Sequence, residues 1–304
     1  MDIDGPVVRK YQKKFIAEPG GKIRLRKFDT AWVKHESFQG EPGKDVTDLL
    51  KETLEKNQRA LFSAQELLAA SRKYAILIVF QGMDAAGKDG TIRHVMSGVN
   101  PQGCTVHSFK VPTPEDHVHD FLWRYGKVLP ERGMITIFNR SYYEDVLVVR
   151  VHPELLEDLP RAIGPDTDGF WDARFRDINA FEKHLVQNGT VILKFFLNIS
   201  KEEQRKRLLD RLNHEEKTWK FSLSDIAERE YWDEYQAAYE EMLSATSTRL
   251  APWFIVPADH KWMARTFVAE AIASAIGGLG LSYPTFAPEQ VRQLDEMKKR
   301  LEKE

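Results

Sequence analysis

AILIVFQGMDAAGKDGT, residues 75–91, is the stretch on which the fold turns. Its opening run, Ala75 to Phe80, is unbroken aliphatic and aromatic, the pattern of a strand buried on both faces. From Gly82 to Lys88 the chain then reads G-x-x-x-x-G-K, a P-loop placed where such a loop must sit, between a buried strand and a helix. Gly82 and Gly87 permit backbone angles that turn successive amides inward, forming a nest for phosphate oxygens. The helix beginning near Lys88 adds its positive end, and the Lys88 ammonium can reach a transferred phosphate as a point charge. The phosphate-binding candidates in this stretch are therefore Gly82, Ala85, Ala86, Gly87, Asp89 and Gly90, with Lys88 as a catalytic candidate.

Two carboxylates set this loop apart. Asp89 stands where a Ser or Thr normally follows the lysine to bind magnesium. Asp84 lies inside the loop, where phosphates would repel it unless a cation or a proton-donating substrate is near. Asp84 is thus a candidate for holding Mg2+ through water or for orienting an acceptor phosphate. A helix-capping role suits Asp89 better than Asp84.

Outward from the loop, strands and helices alternate. Upstream, Val46, Leu49, Leu50, Leu54, Leu61 and Leu67 recur at helical spacing, with Asp45 able to cap, and that helix ends near Ser71. Downstream, strands are expected at Thr105–Phe109, Ile135–Asn139, Thr190–Leu197 and Trp253–Pro257. Helices are expected to open at Thr113-Pro114, to span Phe170–Gln187, to start at a capping box Ser200–Glu203, to run from Lys261 to Ala275, and to close the chain from Glu289 to Glu304. Buried strands separated by helices define an α/β fold with a parallel sheet covered on both faces, and such sheets bind ligands at the carboxyl ends of their strands.

The 304 residues are 42% hydrophobic and 30% charged with a formal net charge of −2, so any anion site must come from a local basic cluster. One cysteine, Cys104, excludes an intramolecular disulfide and a cysteine-based zinc cage. No apolar stretch marks a signal peptide or a membrane span, so a cytoplasmic protein without membrane partners is expected. Residues 1–44, carrying Arg9, Lys10, Lys13, Lys14, Lys22, Arg24, Arg26 and Lys27, read as a basic arm rather than a core segment.

GMDAAGKDG, FKVPTPED, FNRSYYEDVLVVRV, the stretch from Ser200 to Phe221 and APWFIVPADHKW, in that order, resemble the family-two polyphosphate kinases. The resemblance runs from Arg26 to about Tyr283. It implies a P-loop kinase core similar to thymidylate kinase with a helical lid over about 201–231. The phosphotransferase domain would occupy 45–284 and a charged helix 285–304. It further implies Mg2+ dependence, reversible transfer between inorganic polyphosphate and a nucleoside mono- or diphosphate, and a homo-oligomer, a tetramer by analogy. Matched residue by residue, Asp84 and Lys88 are the loop carboxylate and lysine, Lys110 the basic residue on the acceptor phosphate, and Arg140 the catalytic arginine of the second motif. Many members carry Asp where this chain has Asn139; a neutral amide is a poorer magnesium ligand, leaving Asp84 with Glu144 or Asp145 as the metal carboxylates. The N-R-S-x-Y-E-D version looks like the branch accepting both AMP and ADP.

In the lid, Arg207 and Arg211 are four apart and share a helix face. They read either as a closing phosphate clamp, with Lys217 and Lys220 beyond them, or as members of a solvated helix; their place in the motif order favours the clamp. Trp219, Phe221, Trp232 and Trp253 could stack on a base or pack in the core, and none is assigned to a base. The histidines at 94, 107, 117 and 119 show no metal spacing and read as structural. An ATP-dependent kinase on the same fold stays open. A nucleotide switch would carry an N-K-x-D segment and a P-loop Ser or Thr, neither of which is present. The net charge, without an aromatic–basic repeat, argues against nucleic acid as a partner.

Overall fold

The computed structural model describes residues 14–32, 46–156, 169–219 and 221–304, with the side chains of Lys217 and Leu223 left aside. Asp45, Arg9, Lys10, Lys13, Lys217 and Lys220, named above as a cap, arm cations or lid cations, lie outside what it describes. Four largely apolar, buried runs and one mostly exposed edge strand, β2, pair as a five-stranded parallel sheet in the order β2-β3-β1-β4-β5. The strands are β1 (Ala75–Gln81), β2 (Cys104–Ser108), β3 (Ile135–Asn139), β4 (Thr190–Asn198) and β5 (Trp253–Pro257). The helices are α1 (Val46–Ser71), α2 (Lys88–Val95), α3 (Pro114–His117), α4 (Trp123–Gly126), α5 (Val148–Val151), α6 (Phe170–Gln187), α7 (Lys201–Leu212), α8 (Glu215–Thr218), α9 (Leu223–Glu230), α10 (Trp232–Thr246), α11 (Lys261–Gly277) and α12 (Pro288–Leu301).

Alternation along β4 shows why helices are needed on both faces. Phe195 stacks between Phe80 and Phe254, at ring distances of 5.4 and 5.3 Å, and Phe254 meets Phe267 of α11. The neighbouring Lys194 and Phe196 point the other way, to Glu182 of α6 and Tyr239 of α10. Each fully buried aromatic contributes roughly 1.5–3 kcal/mol from lost water contact, so a sheet apolar on both faces is stable only when both are covered. Chain order reverses at β1, whose neighbours are β3 and β4, so the loop after β1 sits at the sheet's topological switch point.

The expected basic arm requires correction over 14–32. Phe15, Ile23, Leu25 and Trp32 are buried, Ile16 bridges Phe254 in antiparallel sense, and the Ala17 amide donates to the Trp253 carbonyl at 2.9 Å. Isolated apolar side chains among lysines hide a segment that seals the β5 edge. The Ser200 capping box is also only half made: Ser200 Oγ accepts from the Glu203 amide at 3.1 Å, but Glu203 turns its carboxylate to Arg207 and Asp259 takes the Ser200 amide instead. An ion pair outbids a neutral amide for that carboxylate. Cys104 is half-buried, with a thiol pushed up to about 11 by burial. Among the described residues no helix is long and apolar enough to cross a membrane.

Candidate functional site

The carboxyl ends of β1, β2, β3 and β5 border a cavity of about 1650 Å³, large enough for two anionic substrates at once. The loop after β1 forms its floor. Gly82 has φ +148°, and a β-carbon there would stand 2.9 Å from the Leu197 carbonyl, so only glycine lets the loop leave the strand this close to β4. Gly87, at φ +102°, is the N-cap of α2 and offers no side-chain cap, which leaves the first amides of that helix facing the cavity. Ala85 and Arg140 also adopt left-handed backbone, at φ 61° and 62°. Non-glycine residues in that region store strain, which clusters at ligand sites.

Lys88 is buried, with Nζ 2.6 Å from the Gly82 carbonyl and 3.2 Å from that of Met83. Burial, helped by the Arg140 charge, lowers its ammonium to about 8. Arg140 follows β3 directly; its amide donates to the Phe80 carbonyl at 3.1 Å, which pins it beside the loop. Its guanidinium pairs with Asp84 and, at 3.1 Å, with Glu144, whose other oxygen accepts from Gln81 at 2.8 Å. Asp84, Arg140 and Glu144 thus form one ion-paired group, close enough for their charges to act on Lys88. Asn139 donates to Asp89 at 2.6 Å and to Ser108 at 3.3 Å. Asp89 therefore does not cap α2; it holds the amide of residue 139, a position where a second carboxylate would face it with like charge.

Three expected phosphate ligands have other engagements. The Ala86 amide donates to the Met83 carbonyl at 3.1 Å, closing the loop on itself. Arg207 is buried, and its five N–H groups are all taken: Glu203 at 2.8 Å, the Ala85 and Ala86 carbonyls at 3.2 and 2.8 Å, and the Ala258 and Asp259 carbonyls at 2.5 and 3.0 Å. It braces the loop while also lining the cavity, and Gln204 braces the loop too, its amide donating to the Asp84 carbonyl at 3.0 Å. Arg211 lines the cavity but pairs with Asp225 at 3.0 Å. Lys110 is exposed at the cavity wall.

The cavity's other half is apolar, walled by Phe109, Phe121, Val148, Leu155, Leu156 and Phe170. Asp145 is set into it, 3.4 Å from the Tyr125 hydroxyl and 3.8 Å from Arg174, with a carboxyl pushed up by burial to about 7. Asp145 thus pairs with Tyr125 and Arg174, whereas Asp84 pairs with Arg140. Among the described residues no group of three or more His, Cys, Asp or Glu converges on a metal position. Mg2+ needs only one or two carboxylates when phosphates supply the rest. Asp84 meets that need: it lies on the loop, lines the cavity, and is a quarter exposed.

Of the four candidate aromatics, Trp232 and Trp253 are core residues, Phe221 is half-buried, and Trp219 is exposed at the cavity wall. His117 and His119 line the cavity, the latter stacked on Trp123 at 3.6 Å. Sequence reasoning missed Arg93, Arg174, Lys261 and Arg265, all lining the cavity. Arg93 and Arg174 come singly from helix faces, where an isolated charge carries no local signal; Lys261 and Arg265 are four apart on α11, a spacing that drew attention only at Arg207 and Arg211.

A strand–loop–helix phosphate cradle with a buried lysine and a strand-end arginine defines a P-loop phosphotransferase. Residues 45–279 match the sequence profile of the polyphosphate kinase 2 family, and the chain belongs to that family. It is 48% identical over 290 residues to the ADP-polyphosphate phosphotransferase of Rhodopseudomonas palustris, covering 95% of this chain and 98% of that protein. It is 44% identical over 272 residues to the AMP/ADP-polyphosphate phosphotransferase of Meiothermus ruber, covering 90% and 95%. Its fold is similar to the crystal structure of polyphosphate kinase 2 from Arthrobacter aurescens TC1, with a TM-score of 0.78 and 38% identity, covering 93% of this chain and 98% of that one.

Proposed function

We propose that this protein transfers the terminal phosphate of inorganic polyphosphate to AMP or ADP, reversibly and without a covalent enzyme intermediate. The observation that carries this reading is the cavity itself. Its anion-binding half holds Lys88, Arg140 and the open amides of α2, and its apolar half suits a nucleoside. A polyphosphate donor needs charge and no base pocket, so one apolar compartment suffices.

The acceptor's terminal phosphate oxygen attacks the end phosphorus of the chain; the bridging P–O bond breaks and its electrons stay with the shortened polyphosphate. That oxygen is already ionised near neutrality, so no strong base is required. Lys88 and the loop amides hold the transferred group while Arg140 meets the charge that spreads over its oxygens. Asp84 would hold Mg2+ together with phosphate oxygens, and the bound ion would supply charge neutralisation there. Arg211, Lys110 and Arg174 would steady the phosphates of the two substrates.

The test offers AMP, ADP, GMP and GDP separately with Mg2+ and long-chain polyphosphate, and separates the products by anion exchange. Adenine nucleotides gain phosphate only when polyphosphate is present. Lys88→Ala and Asp84→Asn each lower kcat by about a hundredfold or more. ATP acting as sole donor, with polyphosphate inert, would refute the reading.

A further inference from the structure

Between the apolar wall of the cavity and α9 stands an imidazole with a carboxylate at each ring nitrogen. His152 closes the carboxyl end of α5: its amide donates to the Val148 carbonyl at 2.8 Å, and its carbonyl accepts from the Leu155 amide at 3.1 Å. It is therefore the joint of the segment that gives Val148, Leu155 and Leu156 to the cavity. Nδ1 lies 3.2 Å from Glu154 and Nε2 3.0 Å from Glu228 of α9, and only 17% of the side chain is exposed. The Tyr235 hydroxyl of α10 donates to the same Glu228 oxygen at 2.6 Å. The ring also stands edge-on to Tyr231, at the start of α10, at 4.9 Å and to Tyr235 at 6.5 Å. The titratable groups facing it are thus Glu154 of its own segment, Glu228 of α9, and the two tyrosines; Arg150 of α5 pairs instead with Glu241 of α10 at 2.5 Å.

A neutral imidazole has one donor and one acceptor, so between two carboxylates it would turn a lone pair toward a negative oxygen. Only the imidazolium donates on both sides. Burial works against the charged ring, but Glu228 and Glu154 outweigh it, so the ring titrates above the ordinary histidine value of 6.5. A raised folded value fixes the sign: the double contact is complete below 6.5 and is lost as pH climbs through the folded value. What Glu228 holds also reaches the phosphate loop. Arg229, its neighbour on α9, donates to the Lys201 carbonyl at 2.8 Å and to the Gln204 side-chain oxygen at 2.7 Å, and Gln204 donates to the Asp84 carbonyl. One turn earlier, Asp225 takes Arg211.

We propose that His152, paired with Glu228, is a positioning residue for the acceptor nucleotide: as imidazolium it fastens α9 to residues 148–156 and fixes the apolar wall, and once it gives up its proton the fastening loosens and the acceptor binds less tightly. The inference rests on the function proposed above, which sets the nucleoside against that wall. The ring touches neither substrate; it acts through the wall on one side and through α9 on the other.

The experiment compares wild type with His152→Gln and Glu228→Gln. The KM for AMP and ADP is measured from about pH 6 to about pH 9 at saturating polyphosphate. Hydrogen exchange of the α9 amides, corrected for its intrinsic pH dependence, is followed over the same range without substrate. In wild type the acceptor KM rises about fivefold to tenfold along a single titration, kcat changes less than about twofold, and α9 exchange quickens about fivefold or more. His152→Gln holds both quantities near the wild-type alkaline level at every pH. Glu228→Gln moves the midpoint of both to lower pH, an effect that a merely structural contact would not produce, and this decides the matter even if His152→Gln fails to fold. A wild-type step that persists in His152→Gln, an acceptor KM independent of pH, or a fall in kcat at constant KM would overturn the proposal. If polyphosphate is inert as donor while the exchange step appears and vanishes in His152→Gln, the kinase reading fails and the fastening of α9 stands. Transfer from polyphosphate without an exchange step overturns the fastening alone.

Discussion

Lys88 has been stripped of water and set beside a guanidinium, and both changes favour its neutral form. Its ammonium titrates at about 8 in the ligand-free protein, against 10.5 for an ordinary lysine. Because the folded value is the lower one, charged Lys88 works against folding below about pH 8, and that cost disappears only as pH rises past the ordinary value. For activity the sign is plain: the charge that grips phosphate is lost as pH climbs through 8, while a bound polyanion pulls the proton back. The kcat/KM for polyphosphate is expected to fall about tenfold per pH unit above that point, with kcat holding to higher pH; parallel pH profiles check this. A profile flat to pH 10 would refute it. At this scale the sequence was legible where a motif fixes neighbours in the chain, as at Asp84, Lys88 and Arg140. It placed Arg207 in a phosphate clamp and gave no sign of its brace on the loop, because a charge four residues from another on a helix looks the same whether it faces solvent or four carbonyls.

Among the elements, β4 carries the least expected residue. Lys194 stands in the middle of TVILKFFLN and is completely buried. Its three donors meet Glu182 of α6 at 2.7 Å, the Tyr143 hydroxyl at 2.9 Å and the Thr246 carbonyl at 2.8 Å. Tyr142 and Tyr143 both donate to Glu182, at 2.8 and 2.7 Å, so the segment after Arg140 is anchored through the sheet to α6. Lys194→Met alone strands the Glu182 charge and is expected to cost about 3–5 kcal/mol in urea unfolding, with Glu182→Leu/Lys194→Met recovering most of it. A single variant as stable as wild type would contradict this account. The elements themselves were largely readable, since β3, α6 and β5 are bounded by glycine, proline or polar residues and match the expected spans. The helix α11 runs two residues past the expected Ala275 because nothing at Ile276 or Gly277 stops it.

Across the whole molecule, the two ends of the described chain contribute unequally. Phe15 packs edge-on against Trp32 at 4.8 Å and Phe267 at 5.3 Å, while α12 has no buried residue. Phe15→Ala should therefore cost about 3–5 kcal/mol. Truncation after Ala287 should shift the melting temperature by less than about 2 °C. Thermal melts of both variants decide the matter, and the reverse ranking would refute it. The early segment escaped notice because its apolar residues follow no period: they fill gaps on the β5 edge rather than making a face of their own.

The five-donor brace at Arg207 also bears on the thermodynamics of binding. Fixing the backbone of a flexible residue costs roughly 1–2 kcal/mol, and a loop that ordered itself only around phosphate would subtract that cost from its affinity, residue by residue. Held by its carbonyls from α7, the loop has surrendered that entropy when the chain folds, so each amide turned toward the cavity can contribute its contact to affinity nearly undiminished.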